Sequence, residues 1–204
     1  MSKIAVVGSQ NVGKTTFIND FIKTFPMYEK ADTSYRELAK GDPRVKLNKD
    51  GDEEGQRLIR DALCDEVMKY PKGSNVIFDR SIYDNLIYSI WLNCKDSENV
   101  SNLFIEKSKI IAKETAKLYD IIFFIPLLDN HPIAIVPDNQ RDTDPVFREE
   151  IDHLFKALFK TYAEHRGDFF DFEDCPAVIE IFGNQEERIA ITKLYINTDN
   201  GQPL

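Results

Sequence analysis

Cysteine is scarce in this chain. Cys64, Cys94 and Cys175 are far apart, odd in number and form no C-x-x-C pair, which excludes a disulfide framework and reads as reduced thiols in a cytosolic protein. A basic excess is also missing: 26 Lys and Arg stand against 35 Asp and Glu, a net charge of −9. A duplex-binding protein usually carries the opposite balance, so strong nonspecific nucleic-acid binding is disfavoured. The three histidines, His131, His153 and His165, lack metal-ligand spacing. Asp50-Gly51-Asp52-Glu53-Glu54 lacks the register and closing Glu of a calcium loop and reads as a solvated loop. No apolar run approaches the ~20 residues needed to cross a bilayer, and no internal repeat or low-complexity linker occurs. The chain enters its first apolar run at residue 3, which leaves no room for a signal peptide. The expectation is a cytoplasmic protein with no membrane partner.

What is present is a phosphate-binding signature. Gly8-Ser9-Gln10-Asn11-Val12-Gly13-Lys14-Thr15 satisfies G-x-x-x-x-G-K-[ST] at every required position. Such a loop wraps nucleotide phosphates with backbone N–H groups, which glycine at Gly8 and Gly13 permits. Lys14 would reach the β- and γ-phosphates, and Thr15 would offer its hydroxyl to Mg²⁺. The flanks fit: 3–7 is a short apolar run that reads as a buried strand, and Phe17, Ile18, Phe21, Ile22 and Phe25 form the apolar face of a helix. The start of that helix adds partial positive charge to the site.

At 204 residues with 42 % hydrophobic residues, the chain has enough apolar matter for one substantial domain, 1–204, with a lid over approximately 137–150. Residues 26–52 are polar and read as a long excursion containing a short helix. Helices are predicted over 53–70, 81–94, 98–119, 145–163 and 185–196, and further strands over 75–79, 120–125 and 177–182. Nearly all-apolar strands alternating with helices imply an α/β fold, a parallel sheet covered on both faces. Ligands in such folds bind beyond the carboxyl ends of the strands, where the phosphate loop, Asp79 and Gly183 all fall.

Other segments extend the site. Asp79-Arg80-Ser81 ends a predicted strand, where Asp79 is placed to hold Mg²⁺ or orient a hydroxyl and Arg80 to grip a phosphate. The competing reading is an Asp that caps the next helix. Arg80 stands where motor-type ATPases usually carry a water-activating Glu, and no N-K-x-D guanine-reading segment occurs, so transfer to a bound acceptor is favoured over hydrolysis. Arg141 and Arg148 flank a polar loop that leads into a helix, a layout suited to neutralising a transferred phosphoryl group; ion pairs with nearby carboxylates are the alternative. Gly183 either lets backbone approach adenine or makes a strand-to-helix turn. Asp32, Arg36 and Glu37 supply a candidate base and a substrate cation, or loop salt bridges. Tyr28, Tyr35, Tyr83 and Tyr88 are candidate base-stacking rings, or core.

Taken together, G-S-Q-N-V-G-K-T-T, Y-R-E-L (35–38), F-D-R-S (78–81), Q-R-D-T-D-P-V-F-R-E-E-I-D (140–152) and the final strand–Gly–helix unit resemble the small P-loop nucleoside and nucleotide kinases. The resemblance is to the AAA-type, ribosylnicotinamide-kinase-like proteins common in bacteria and phages, with deoxynucleoside and thymidylate kinases as relatives. It implies a five-stranded P-loop NTPase sheet in the order 2-3-1-4-5 and ATP with Mg²⁺ as cofactors. Lys14, Arg141 and Arg148 would stabilise the transferred group, Asp32 would act as base, and Thr15 and Asp79 would handle the metal. Gly8, Asn11, Val12, Gly13, Lys14, Thr15, Thr16 and Gly183 would hold the nucleotide, and Arg36, Arg80 and Tyr83 the acceptor. Related kinases often carry an acidic residue on a clear strand after the first helix, whereas Asp32 lies in a polar, weakly strand-like stretch. The implied partner is a small nucleoside or nucleotide, bound by a monomer or homodimer. A polynucleotide acceptor and a non-catalytic nucleotide switch are the alternative readings.

Overall fold

Five short strands carry the fold: β1 (Lys3–Val7), β2 (Glu29–Lys30), β3 (Val76–Asp79), β4 (Ile121–Phe124) and β5 (Ala177–Glu180). All pair in parallel, in the order β2-β3-β1-β4-β5. The computed structural model describes residues 2–32, 35–128 and 142–204, without the side chains of Tyr35 and Arg36. The lid expected over 137–150 therefore lies partly outside the described residues, as do Arg141 and His131.

Strand alternation divides the core between the two faces of the sheet. Ile4 and Val6 of β1, Ile77 of β3 and Phe123 of β4 point one way. They pack against Phe17, Ile18 and Phe21 of α1 (Lys14–Thr24) and partly buried Ile189 and Ile191, from the region of α7 (Gln185–Thr192). Ala5, Val7, Phe78 and Phe124 point the other way, against α4 (Ile82–Lys95), α5 (Asn102–Ala116) and α6 (Pro145–Ala163). Phe17, Phe21, Phe123, Phe124, Phe147 and Phe155 are all fully buried, and each such side chain contributes about 1.5–3 kcal/mol relative to exposure.

The polar excursion holds α2 (Tyr35–Gly41) and a single 3₁₀ turn at Asn48–Asp50, and it leads into α3 (Glu53–Lys69). It also holds β2, which the sequence pattern does not reveal. Both β2 residues are exposed, so no apolar alternation marks them, and pairing with β3 (Lys30 opposite Ile77) creates the strand. Asp52 caps α3 by accepting from Gly55 N at 2.9 Å, the N-cap role open to an Asp before a helix. The remaining predicted elements appear within a few residues of their expected ends. Two helices are shorter than expected: α5 runs from Asn102 to Ala116 where 98–119 was expected, and α7 stops at Thr192 where 196 was expected.

Candidate active site

The carboxyl ends of β1, β3 and β4 open onto one edge of the sheet, and the chain leaves each with chemistry attached. Val6 is in register with Asp79 and Val7 with Phe124, so the phosphate loop, Asp79-Arg80 and Ile125 share that edge. Gly8 has φ +142° and lies so close to the next strand end that an added Cβ would sit 2.5 Å from the Ile125 carbonyl oxygen. Asn11, at φ 58°, takes the left-handed conformation that Asn tolerates better than most residues. Gly13 is the N-cap of α1, where no side chain caps the helix and no acidic residue occupies the first turn. The opening N–H groups, including those of Thr15 and exposed Thr16, thus begin an anion-receptive helix end.

Lys14 is buried, and its Nζ donates to the Gly8 and Ser9 carbonyls, each at 2.7 Å. The Thr15 hydroxyl donates to Asp79 Oδ2 at 3.1 Å. This places two hard oxygen donors side by side, the set a magnesium ion prefers. Among the described residues no cluster of three or more His, Cys, Asp or Glu could hold a metal. A metal here would depend on these two oxygens and on phosphate oxygens.

Arg80 adopts φ +102°, uncommon for a non-glycine residue and tolerated where surrounding structure imposes it. Its N–H bonds the Val6 carbonyl at 3.1 Å, its Nη1 meets Asp84 Oδ1 at 3.2 Å, and its guanidinium faces the Tyr88 ring at 5.4 Å. Asp84 also accepts from Ser81 N at 2.8 Å in a capping box that starts α4. Its burial pushes the carboxyl pKa up, against the opposing pull of Arg80 and Lys14. Helix capping therefore falls to Ser81 with Asp84, not to Asp79. The Ser-x-x-Asp spacing that marks such a box is visible in the sequence, but it does not reveal that Asp84 pairs with Arg80.

A cleft lined by Arg80, Asp84, Asn85, Tyr88, Gln56, Ile59 and Leu47 opens beside Arg80. Tyr88 donates to Gln10 Oε1 at 2.9 Å, tying this cleft to the phosphate loop. Asn85 Nδ2 donates to Gln56 Oε1 at 2.9 Å, while Asn85 Oδ1 is buried with no partner among the described residues.

Two arginines grip the outside of the loop. Arg148, on α6, donates through Nη2 to the Asn11 carbonyl at 3.3 Å. Arg188, on α7, donates through Nη1 to the Val12 carbonyl at 2.9 Å. Sequence reasoning missed Arg188, because nothing local relates it to Val12, 176 residues upstream.

The other expected residues fall as follows. Asp32 lies just past β2, where Ala31 N bonds the Ile77 carbonyl at 3.0 Å; it therefore follows the strand next to the one that delivers Asp79, at the same end. Arg36 is on α2, with no side chain described. Glu37 pairs with Lys40 at 2.8 Å on the surface. Tyr83 is a correction. It is fully buried, its hydroxyl donates to the Phe169 carbonyl at 2.8 Å, and its ring packs on Phe170. Burial pushes its phenol pKa far up. One residue into α4, it faces the core and not the cleft; Tyr88, five residues on, is the ring that lines it. Tyr28 is likewise core, donating to the Gly201 carbonyl at 2.7 Å. Gly183 lies tight against Glu187, which closes the capping box of α7 with Asn184, so the strand-to-helix turn accounts for it.

The fold recurs in solved structures of low identity. Thymidylate kinase from Candida albicans matches with TM-score 0.68 and 15% identity, over 100% of this chain and 94% of that one. Deoxyadenosine kinase from M. mycoides matches with TM-score 0.61 and 16% identity, over 94% and 96%. The NadR protein in complex with NR matches with TM-score 0.64 and 13% identity; 95% of this chain spans 50% of NadR. These likenesses establish a P-loop fold of the kind that nucleoside and nucleotide kinases use. A sequence search among curated proteins finds no match. The family model for the AAA domain (AAA_28) matches residues 3–171, and the chain belongs to that family.

Proposed function

We propose that this protein is an ATP- and magnesium-dependent kinase that transfers a phosphoryl group to a hydroxyl or phosphate of a nucleoside or (deoxy)nucleoside monophosphate. The observation that carries the reading is the convergence of Lys14, Thr15, Asp79, Arg80 and Arg148 at one edge of the sheet, beside a cleft that already holds a polar edge.

The loop N–H groups and the start of α1 bind the polyphosphate. Lys14 leaves the Gly8 and Ser9 carbonyls for the β- and γ-phosphates, exchanging two neutral acceptors for charged ones. Thr15 and Asp79 would hold the metal, which would supply charge neutralisation at the phosphate oxygens when bound. Arg148, with Arg141 from the segment before it, counters charge on the group in transit. Arg80, held by Asp84 and Tyr88, orients the acceptor, and where the acceptor is a hydroxyl Asp32 takes its proton. Positioning and electrostatics supply most of the rate.

The acceptor enters the cleft against Tyr88, with Asn85 Oδ1 as an acceptor for a base N–H. The cavity volume is about 30 Å³, room for very few waters. Admitting a base would require the lining, which includes Leu47 and Asn48, to move.

The test is ADP release from Mg-ATP with nucleosides, nucleoside monophosphates and a short oligonucleotide as acceptors, with Lys14→Ala as control. Turnover should depend on a nucleoside or nucleotide. Lys14→Ala should lower it by about 10²–10³ or more, as losing one preorganised charge contact does, while the fold survives. Near-normal activity in Lys14→Ala would sink the assignment. Turnover with the oligonucleotide alone would move the acceptor to a polynucleotide, and ATP binding without acceptor-stimulated turnover would leave a switch protein.

A further inference from the structure

Arg188 is 3 % exposed, yet among the described residues it pairs with no carboxylate. Among the described residues its side chain makes one hydrogen bond, from Nη1 to the Val12 carbonyl at 2.9 Å, and its buried Nε has no partner. Burial alone lowers its pKa, with no anionic neighbour raising it. A buried cation without a counter-charge is costly, and proteins keep one where a ligand supplies the missing charge. Gln185, one turn earlier, has a buried Oε1 that also lacks a partner among the described residues. Both side chains close on Gly13: a Cβ added there would meet Arg188 Nη1 at 3.1 Å and Gln185 Nε2 at 3.3 Å.

What Arg188 grips has a geometric consequence. In a planar trans peptide the C=O and the following N–H point in opposite directions. Holding the Val12 carbonyl toward α7 aims the Gly13 N–H the other way, into the hollow of the loop. Arg148 does the same one peptide earlier, through the Asn11 carbonyl, and so aims the Val12 N–H. Among the described residues neither N–H has an acceptor. Successive N–H groups turned inward form an anion-binding concavity.

We propose that Arg188 is a positioning residue of the nucleotide site: it sets the Val12–Gly13 peptide for polyphosphate binding, and the bound polyphosphate supplies its missing counter-charge. The final helix thus belongs to the nucleotide site as well as to the core. This rests on the reading of the loop as a nucleotide site, but not on any acceptor.

Binding is measured by calorimetry with Mg-ATP and with inorganic tripolyphosphate, which carries the charge without base or sugar. Unliganded melting is followed alongside, for wild type, Arg188→Met and Arg188→Lys. Arg188→Met should melt at or above the wild-type temperature without ligand, because an uncompensated charge is gone. It should bind both ligands about tenfold more weakly, and KM for ATP should rise while KM for the acceptor holds. Arg188→Lys should recover part of the affinity, since the charge stays and the planar fork does not. If Arg188→Met binds both ligands as wild type does, the inference is overturned, whatever its melting temperature. Should Arg188→Met fail to fold, Arg188→Lys decides alone: affinity equal to wild type overturns the inference, and a weakened but measurable affinity supports it. Tripolyphosphate binding that depends on Arg188 in a chain with no kinase turnover would overturn the proposed function and leave this inference standing.

Discussion

Three glycines separate the two costs of placing a side chain where the loop forbids one. Gly41 ends α2 with nothing within 4 Å of an added Cβ. Gly73 also has nothing within 4 Å, but its φ is +88°. Gly8 combines a φ of +142° with a Cβ position 2.5 Å from the Ile125 carbonyl oxygen and 3.3 Å from Val12 Cγ2. Alanine at Gly41 should be neutral or stabilising by about 0.5 kcal/mol, since the unfolded chain loses freedom and the helix gains propensity. Alanine at Gly73 should cost about 1–2 kcal/mol, the left-handed penalty alone. Alanine at Gly8 adds a collision with backbone, which cannot rotate aside, for a further 1–3 kcal/mol or so. Its total is roughly 2–5 kcal/mol, or about 4–20 °C in Tm for a chain of this size. Urea unfolding reads the series as shifts of midpoint at constant slope. The order Gly41→Ala, Gly73→Ala, Gly8→Ala in rising cost is required. Gly73 lies in the turn before β3, at the far end of the strands, so its variant should bind Mg-ATP normally, while Gly8→Ala should lose that binding. A Gly8→Ala variant within about 0.5 kcal/mol of Gly73→Ala would refute the contact argument.

Tyr83→Phe removes only the hydrogen bond to Phe169 and should cost about 1 kcal/mol, leaving affinity for nucleotide and acceptor unchanged; a raised acceptor KM would return Tyr83 to the site. Tyr119 is buried, and its phenol is pushed well above the usual tyrosine range by burial, with Glu66 adding to the effect. A folded pKa above the unfolded one means stability is fully present below about pH 10 and falls as the unfolded chain ionises above it. Tyr119→Phe should therefore shallow the alkaline loss by up to about 1.4 kcal/mol per pH unit, read from urea midpoints between pH 9 and 11; an unchanged slope would contradict the buried neutral phenol.

Much of the site was legible in one dimension because its chemistry is local. The phosphate loop needs its glycines, lysine and threonine at fixed spacing on a single turn, and the apolar stripe of Phe17, Phe21 and Phe25 marks the helix behind it. Asp79 and Arg80 were legible for the same reason, since a buried strand announces its own end. Tyr83 and Tyr88 could not be told apart. Both lie on one helix, and only the packing of α4 shows that Tyr83 meets Phe170 while Tyr88 meets Arg80 and Gln10.

The sequence by itself determined the parallel α/β sheet, its strand order through the resemblance, and the position of the glycine-lysine loop proposed to bind phosphate, because hydrophobic period and glycine spacing are local codes. The tertiary structure decided the rest. It made β2 out of two exposed residues by pairing them with β3, and so put Asp32 at the same end as Asp79. It gave Arg80 a buried partner in Asp84. It also brought Arg148 and Arg188 onto carbonyls of a loop more than 130 residues away in the chain. Contacts of that range leave no period in the sequence, and they form only when the helices on both faces of the sheet are packed.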